Sequence, residues 1–200
     1  MLGLLSAVSY ASECPNLYPK DFPKVNGKEL CSSFYVVLYD EGKQRPIVSV
    51  ERLDIGPIGG FGRLSAFRVD TRIKHPSNPL PFYTNSGYDK GHLTPADDSP
   101  TKDGMKETFL DTNITPQAPD LNRGPWRILE SKVRKNVHSE TFVLNIPVYQ
   151  NSPEYLGPSP IPSGYWKVVL PAGDAYYTDN KNTGKVKSYK FDWKKYLSNQ

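Results

Sequence analysis

The sequence predicts an α+β fold built on a mainly antiparallel sheet. Nineteen prolines and 15 glycines among 200 residues interrupt helix interiors too often for a helical bundle. Short stretches rich in β-branched and aromatic residues outnumber stretches with helical spacing. Strands and helices do not alternate as a parallel βαβ chain requires. With 37% apolar and 23% charged residues the composition is that of a globular protein, and 12% aromatics is too many for a disordered one. No run of 18 apolar residues occurs, which argues against a membrane span. The length suits one domain with its own core, taken as residues 13–200.

At the amino end, Met1 to Ala11 is uncharged and mostly apolar, closing on small residues. Residues 1–12 therefore read either as the back half of a secretory signal without its basic start, or as an ordinary buried strand. Cys14 and Cys31 are the only cysteines. In an exported protein they would form a disulfide worth roughly 3 kcal/mol by chain-entropy arguments, while in a reducing compartment they would carry no meaning. Their number and spacing exclude a CxxC redox motif and a thiolate zinc site. The two features together point to a secreted or periplasmic protein.

Ser33–Tyr39 and Pro46–Leu53 read as strands, the second alternating Ile47, Ser49 and Glu51 against Val48, Val50 and Arg52. Four glycines between Gly56 and Gly62 open no helical pattern and read as a surface loop, not a phosphate cradle. Arg63–Arg72 is a third strand candidate, followed by a proline-broken loop from His75 to Phe82. Thr101–Phe109 reads as a short helix and Asn122–Val137 as a longer one, with Trp126, Leu129, Val133 and Val137 on one face and Pro125 in its first turn. Thr141–Tyr149, Tyr165–Leu170, Ala175–Thr178 and Val186–Trp193 complete the strands.

The net charge of +4 suits a polyanionic partner but also many ordinary proteins. Between Lys181 and Lys195 six lysines accompany Tyr189, Phe191 and Trp193, a pattern that fits a half-buried final strand or a stacking platform for nucleic acid.

Most of the chemically suggestive residues lie in two stretches, Tyr88-Asp-Lys-Gly-His-Leu-Thr-Pro-Ala96 and Thr108 to Glu130. Phosphodiester hydrolysis needs a base to deprotonate water, a divalent cation beside the scissile phosphate, and a cationic donor for charge on the phosphoryl oxygens. His92, Asn122 and Lys90 have the chemistry for these three roles, since Mg²⁺ accepts a single hard amide oxygen and otherwise keeps its water. Glu130 lies two helical turns beyond Asn122. Asp89 would orient His92 or cap the turn. Asp97 and Asp98 read as solvated loop carboxylates, and Glu130 with Arg134 taken alone as an exposed i,i+4 pair. His75 and His138 have structural readings, the latter as a cation at a helix C-terminus.

Taken together, Asp-Lys-Gly-His, Thr-Asn-Ile-Thr-Pro-Gln and Asn-Arg-Gly-Pro-Trp-x-x-Leu-Glu resemble the DNA/RNA non-specific endonucleases of the ββα-metal superfamily, the Serratia-type and endonuclease G group. The specific match spans Tyr88 to Arg134, and a weaker likeness reaches most of the chain, including Tyr-Tyr-Thr-Asp-Asn at 176–180. The resemblance implies a ββα-metal motif with helices packed on the sheet. It implies His92 as general base, Asn122 as sole protein ligand of Mg²⁺ (Mn²⁺ substituting), and Glu130 orienting a metal-bound water. Arg134 would approach phosphate or Glu130, and Asn113 and Gln117 would brace the site loop. It further implies cutting of DNA and RNA through backbone contacts, with little sequence preference and 5′-phosphate products. Arg72 aligns loosely with an upstream substrate-binding arginine of the family. A homodimer and an inhibitor or immunity protein are compatible partners.

One position departs from the pattern. Lys90 stands where the family usually has arginine, keeping the charge but losing the bidentate fork. It supports the alternative reading, a catalytically weak nucleic-acid-binding domain that retains the nuclease fold.

Overall fold

The computed structural model describes residues 12–54, 58–62, 67–74 and 79–200; the signal-like segment before Ser12 and His75 lie outside them. Lys28–Cys31 (β1), Tyr35–Asp40 (β2) and Arg45–Leu53 (β3) form an antiparallel meander. Asp89–His92 (β4) pairs with Ile114–Gln117 (β5) as a separate ribbon, with helix Lys102–Glu107 (α1) between them. Pro119–Leu121 (α2) and Arg127–Lys135 (α3) follow, then Thr141–Val148 (β6) and a small hairpin of Tyr155–Leu156 (β7) and Ser159–Pro160 (β8). Gly164–Leu170 (β9), Asp174–Asp179 (β10), Lys187–Tyr189 (β11) and helix Trp193–Ser198 (α4) end the chain. The main sheet is antiparallel throughout, in the order β1-β2-β3-β6-β9-β10-β11. The expected α+β class is what the chain adopts.

Period-2 alternation divides the central strands between two cores. Val48, Val50, Leu144, Ile146 and Val168 pack with Trp193 and Leu197 of α4 on one face. Leu53, Val143 and Tyr165 pack with Leu121, Trp126, Leu129 and Val133 on the other, where the β4–β5 ribbon and α3 lie. This second face also carries a polar row. Ser49, Asn145 and Lys167 are direct cross-strand partners on β3, β6 and β9, and all are buried. At the first core's edge, Cys14 and Cys31 form the expected disulfide, with Cα atoms 6.1 Å apart.

Several elements differ from expectation for local reasons. The strand expected over Arg63–Arg72 reduces, among the described residues, to one bridge between Arg68 and Leu110. The Asp70 side chain accepts from the Arg72 backbone at 3.0 Å, an Asx turn that ends the extended run. The helix expected from Asn122 is broken at Gly124 (φ −109°, ψ −112°), because Pro125 disfavours helical geometry in the residue before it and supplies no N–H. Asn122–Trp126 is thus a wide turn and α3 begins at Arg127. The final strand stops at Tyr189. Asp192 caps α4 through the Lys195 N–H at 3.0 Å, which turns Trp193 into the core and removes it from any solvent-facing platform.

Candidate active site

The β4–β5 ribbon was not legible as strands, because Gly91 and Pro116 sit inside it. Its register needs glycine at 91: a Cβ there would lie 2.4 Å from the Gln117 Oε1 atom. Tyr165 of the main sheet donates to the Pro116 carbonyl at 3.0 Å and pairs with the Thr115 hydroxyl at 3.1 Å, fixing the ribbon on the sheet. Asn113 clamps the chain just after His92. Its Oδ1 accepts from the Thr94 N–H (3.0 Å) and its Nδ2 donates to the carbonyls of Thr94 (2.9 Å) and Thr108 (3.0 Å). Gln117 is buried against Gly91, and its amide makes no hydrogen bond among the described residues, so it acts there by packing.

His92, Lys90, Asp89, Asn122, Glu130 and Asp97 all line one open cavity of about 700 Å³, together with Arg123 and Arg127. The His92 ring lies edge-on to Phe109 at 4.8 Å and tilted against Phe67 at 5.6 Å. The Lys90 ammonium stands 5.2 Å from the Phe67 ring and 5.7 Å from the Tyr83 ring, so aromatic faces hold it in the cavity wall. Asp89 accepts from Asn122 Nδ2 at 2.9 Å and from Arg123 Nε and Nη2 at 2.8 and 2.5 Å. A carboxylate only accepts, so this bond fixes the amide's orientation and leaves Oδ1 as the end available to a ligand.

Three expected placements are corrected. Arg72 is held by both oxygens of Asp70 (2.8 and 2.6 Å) and by the Cys31 carbonyl (2.6 Å), and it does not line the cavity. Arg134 binds the buried Asp98 at 2.5 Å and, among the described residues, makes no ion pair with Glu130, although it lies near enough to oppose that carboxyl's rise. Asp98 is only 2% exposed, so the expected solvated pair at 97–98 holds for Asp97 alone.

Behind the cavity lies a buried charge cluster that the sequence did not reveal. Lys167 (1% exposed) donates to Asn145 Oδ1, and Asn145 Nδ2 donates to Glu51 (0% exposed) at 3.1 Å. The only sequence signal is a charged residue inside an otherwise apolar strand, as in Tyr-Trp-Lys-Val-Val. Asn180 was likewise missed as an anchor: it bonds the Ala118 N–H at 2.8 Å and the Pro116 carbonyl at 2.9 Å, tying the ribbon's exit to the end of β10. Burial pushes the Glu130 carboxyl up to about 7 against the attraction of Lys167, with Asp98 adding to the rise and Arg134 opposing it. Burial also raises Asp98 and Glu51.

A carboxyl that holds its proton more tightly when folded contributes stability at low pH that is lost as pH rises, here from its ordinary value of 4.5 through about 7. In chelator-treated protein the Tm is therefore expected to fall between about pH 5 and pH 8. Glu130→Gln, which cannot titrate, should flatten that fall in a calorimetric pH series; an unchanged slope would move the titration to Glu51 or Asp98.

A short antiparallel ribbon followed by a helix and laid on an antiparallel sheet is the arrangement that the resemblance to the non-specific endonucleases implies. Comparison with known proteins leads to the same place: the profile of the DNA/RNA non-specific endonucleases matches residues 15–198, and the chain belongs to that family. A nuclease of Nostoc sp. is 37% identical over 145 residues, covering 68% of this chain and 52% of that protein. Human mitochondrial endonuclease G is 32% identical over 155 residues, covering 68% and 52%. The chain thus spans about half the length of these two relatives. Among solved structures, the crystal structure of the EndoG/EndoGI complex, which concerns inhibition of EndoG, superposes with a TM-score of 0.66 at 23% identity, over 86% of this chain and 81% of that one. It supports the fold.

Proposed function

We propose that this chain hydrolyses phosphodiester bonds in DNA and RNA with little sequence preference. The observation that carries the reading is the meeting of His92 and Asn122, thirty positions apart, in one cavity whose wall also holds Lys90, Arg123 and Arg127. His92 takes a proton from the attacking water, whose oxygen bonds to phosphorus while the P–O bond to the 3′ oxygen breaks. The 3′ oxygen leaves and takes a proton from solvent, and the phosphate remains on the 5′ end of the downstream fragment. The packing of Phe67 and Phe109 holds the imidazole plane in place without competing for its nitrogens. Lys90 and Arg127 offer positive charge to the phosphoryl oxygens; Lys90 does so as a point charge rather than a fork.

The donor set fits a hard divalent cation, Mg²⁺ or in its place Mn²⁺. Asn122 would hold it through Oδ1, the end that Asp89 leaves available. When bound, such a cation stabilises negative charge building on the phosphate. Glu130 faces the same cavity and orients water there when ionised. Backbone recognition of this kind does not distinguish sequence. The Cys14–Cys31 disulfide supports a secreted or periplasmic location, since such bonds persist in oxidising compartments.

Digestion of plasmid DNA and of RNA with and without EDTA tests the proposal. Cutting of both is expected, abolished by chelator and restored by Mg²⁺ or Mn²⁺. A rate that chelator leaves unchanged would overturn the metal assignment, and no cutting under any of these conditions would favour the binding-domain reading that Lys90 suggested.

A further inference from the structure

Beyond Arg127, the outward side of α3 takes no part in the proposed catalysis. Its inward positions carry the core and the paired charges: Leu129 and Val133 pack on the sheet, Glu130 faces the cavity and Arg134 is bound to Asp98. Its outward positions are Arg127, Ser131 and Lys135 at i, i+4 and i+8, with Ile128 and Lys132 beside them. These five residues and Asn136 line a groove of about 460 Å³. Arg127 lines both this groove and the catalytic cavity, so the two are continuous.

The charge in the groove is uncompensated. Among the described residues, Arg127, Lys132 and Lys135 take part in no salt bridge, whereas Arg123 and Arg134 are each neutralised by aspartate. Among the described residues, the Lys132 ammonium lies over the Tyr176 ring, 5.9 Å away. Ile128, 66% exposed, presents an aliphatic surface between the cations. From Arg127 to Lys135 the helix rises about 12 Å, close to the axial span of four consecutive phosphates of one strand, three steps of about 3.4 Å. Cations in a row, spaced for phosphates and running out of a cavity suited to one, match a polyanionic chain better than a small ligand.

We propose that the Arg127–Lys132–Lys135 face of α3 carries the phosphate backbone of the substrate strand as it leaves the catalytic cavity. The inference rests on the nucleic-acid-cutting reading above and extends it to a named binding track. Ile128 lies against the sugar faces between phosphates, and Lys132 and Lys135 supply affinity without sequence information.

The test uses the His92→Ala protein, so that substrate is not consumed, and a fluorescent duplex of about 20 base pairs titrated across a salt series. Lys132→Gln with Lys135→Gln, both at exposed positions, is expected to weaken binding about tenfold at low salt. The slope of log K against log salt should shrink by about 1.8, which is two phosphate contacts at about 0.9 each. Lysine-to-arginine replacements at both positions should retain affinity and slope. A control removes two exposed lysines from the loop packed against the opposite core, Lys20→Gln with Lys24→Gln, and should leave the slope nearly unchanged. Equal slopes in the Lys132/Lys135 variant and its parent would overturn the track, as would a loss confined to the control variant. A change in sedimentation with unaltered DNA binding would make this face a contact between copies of the chain and also overturn it. If the unmutated protein cuts DNA yet the slope does not move, the track alone fails. If it neither cuts nor binds, the functional reading fails first.

Discussion

Replacing His92 by alanine is expected to reduce cleavage of plasmid DNA and RNA about 10²- to 10⁴-fold, the usual contribution of a positioned general base. His92 is the histidine found in the cavity, its plane set by Phe109 and Phe67 and its backbone by the Asn113 clamp. The substitution removes a ring packed against a buried phenylalanine, so a loss of rate has to be separated from a loss of fold. Circular dichroism and Tm should remain those of a folded protein, and His92→Gln, closer in volume, should be as inactive as alanine. Full activity in either variant would remove His92 from the mechanism and leave the cavity without the base assigned to it.

The second large effect is expected at Asn122. Asn122→Ala deletes the oxygen that Asp89 orients and is expected to lower cleavage by at least about 10²-fold, since several kcal/mol of charge stabilisation goes with the cation. Calorimetric titration with Mg²⁺ or Mn²⁺ should show metal binding lost in parallel. The change is local, because Asp89 keeps its bidentate partner Arg123 and the ribbon keeps its register. Wild-type metal affinity in Asn122→Ala would show that another group holds the ion. Retained activity together with lost metal binding would separate the two roles assigned to one cavity.

Both predictions come from residues that the sequence alone singled out, and the reason is chemical. His92, Asn122 and Glu130 are residue types that the proposed reaction calls for, and their spacing within Asp-Lys-Gly-His and Asn-Arg-Gly-Pro-Trp-x-x-Leu-Glu is a local property of the chain. Asn113 was legible for the same cause, lying in a short motif beside the strand it braces. Arg72 is taken by Asp70, two residues away in the chain, through a turn that residue types alone do not reveal, and Arg134 by Asp98, which becomes its neighbour only after folding. The β4–β5 ribbon escaped notice because its strand identity comes from tertiary pairing, against the local preference of glycine and proline. Trp193 misled because alternation over a few residues reads as a strand, while a single aspartate cap suffices to start a helix.

What the sequence by itself determined is the α+β class, the cysteine pair, and the histidine and asparagine that meet in the cavity. These follow from composition and short-range spacing, which survive without coordinates. Only the tertiary structure decided which charges are neutralised and which remain available. It paired Arg123 and Arg134, buried Glu51, Asp98 and Lys167 behind Glu130, and left Arg127, Lys132 and Lys135 facing outward. Charge compensation depends on distances across strands and helices, and on the exclusion of water between them, neither of which is written in the order of residues.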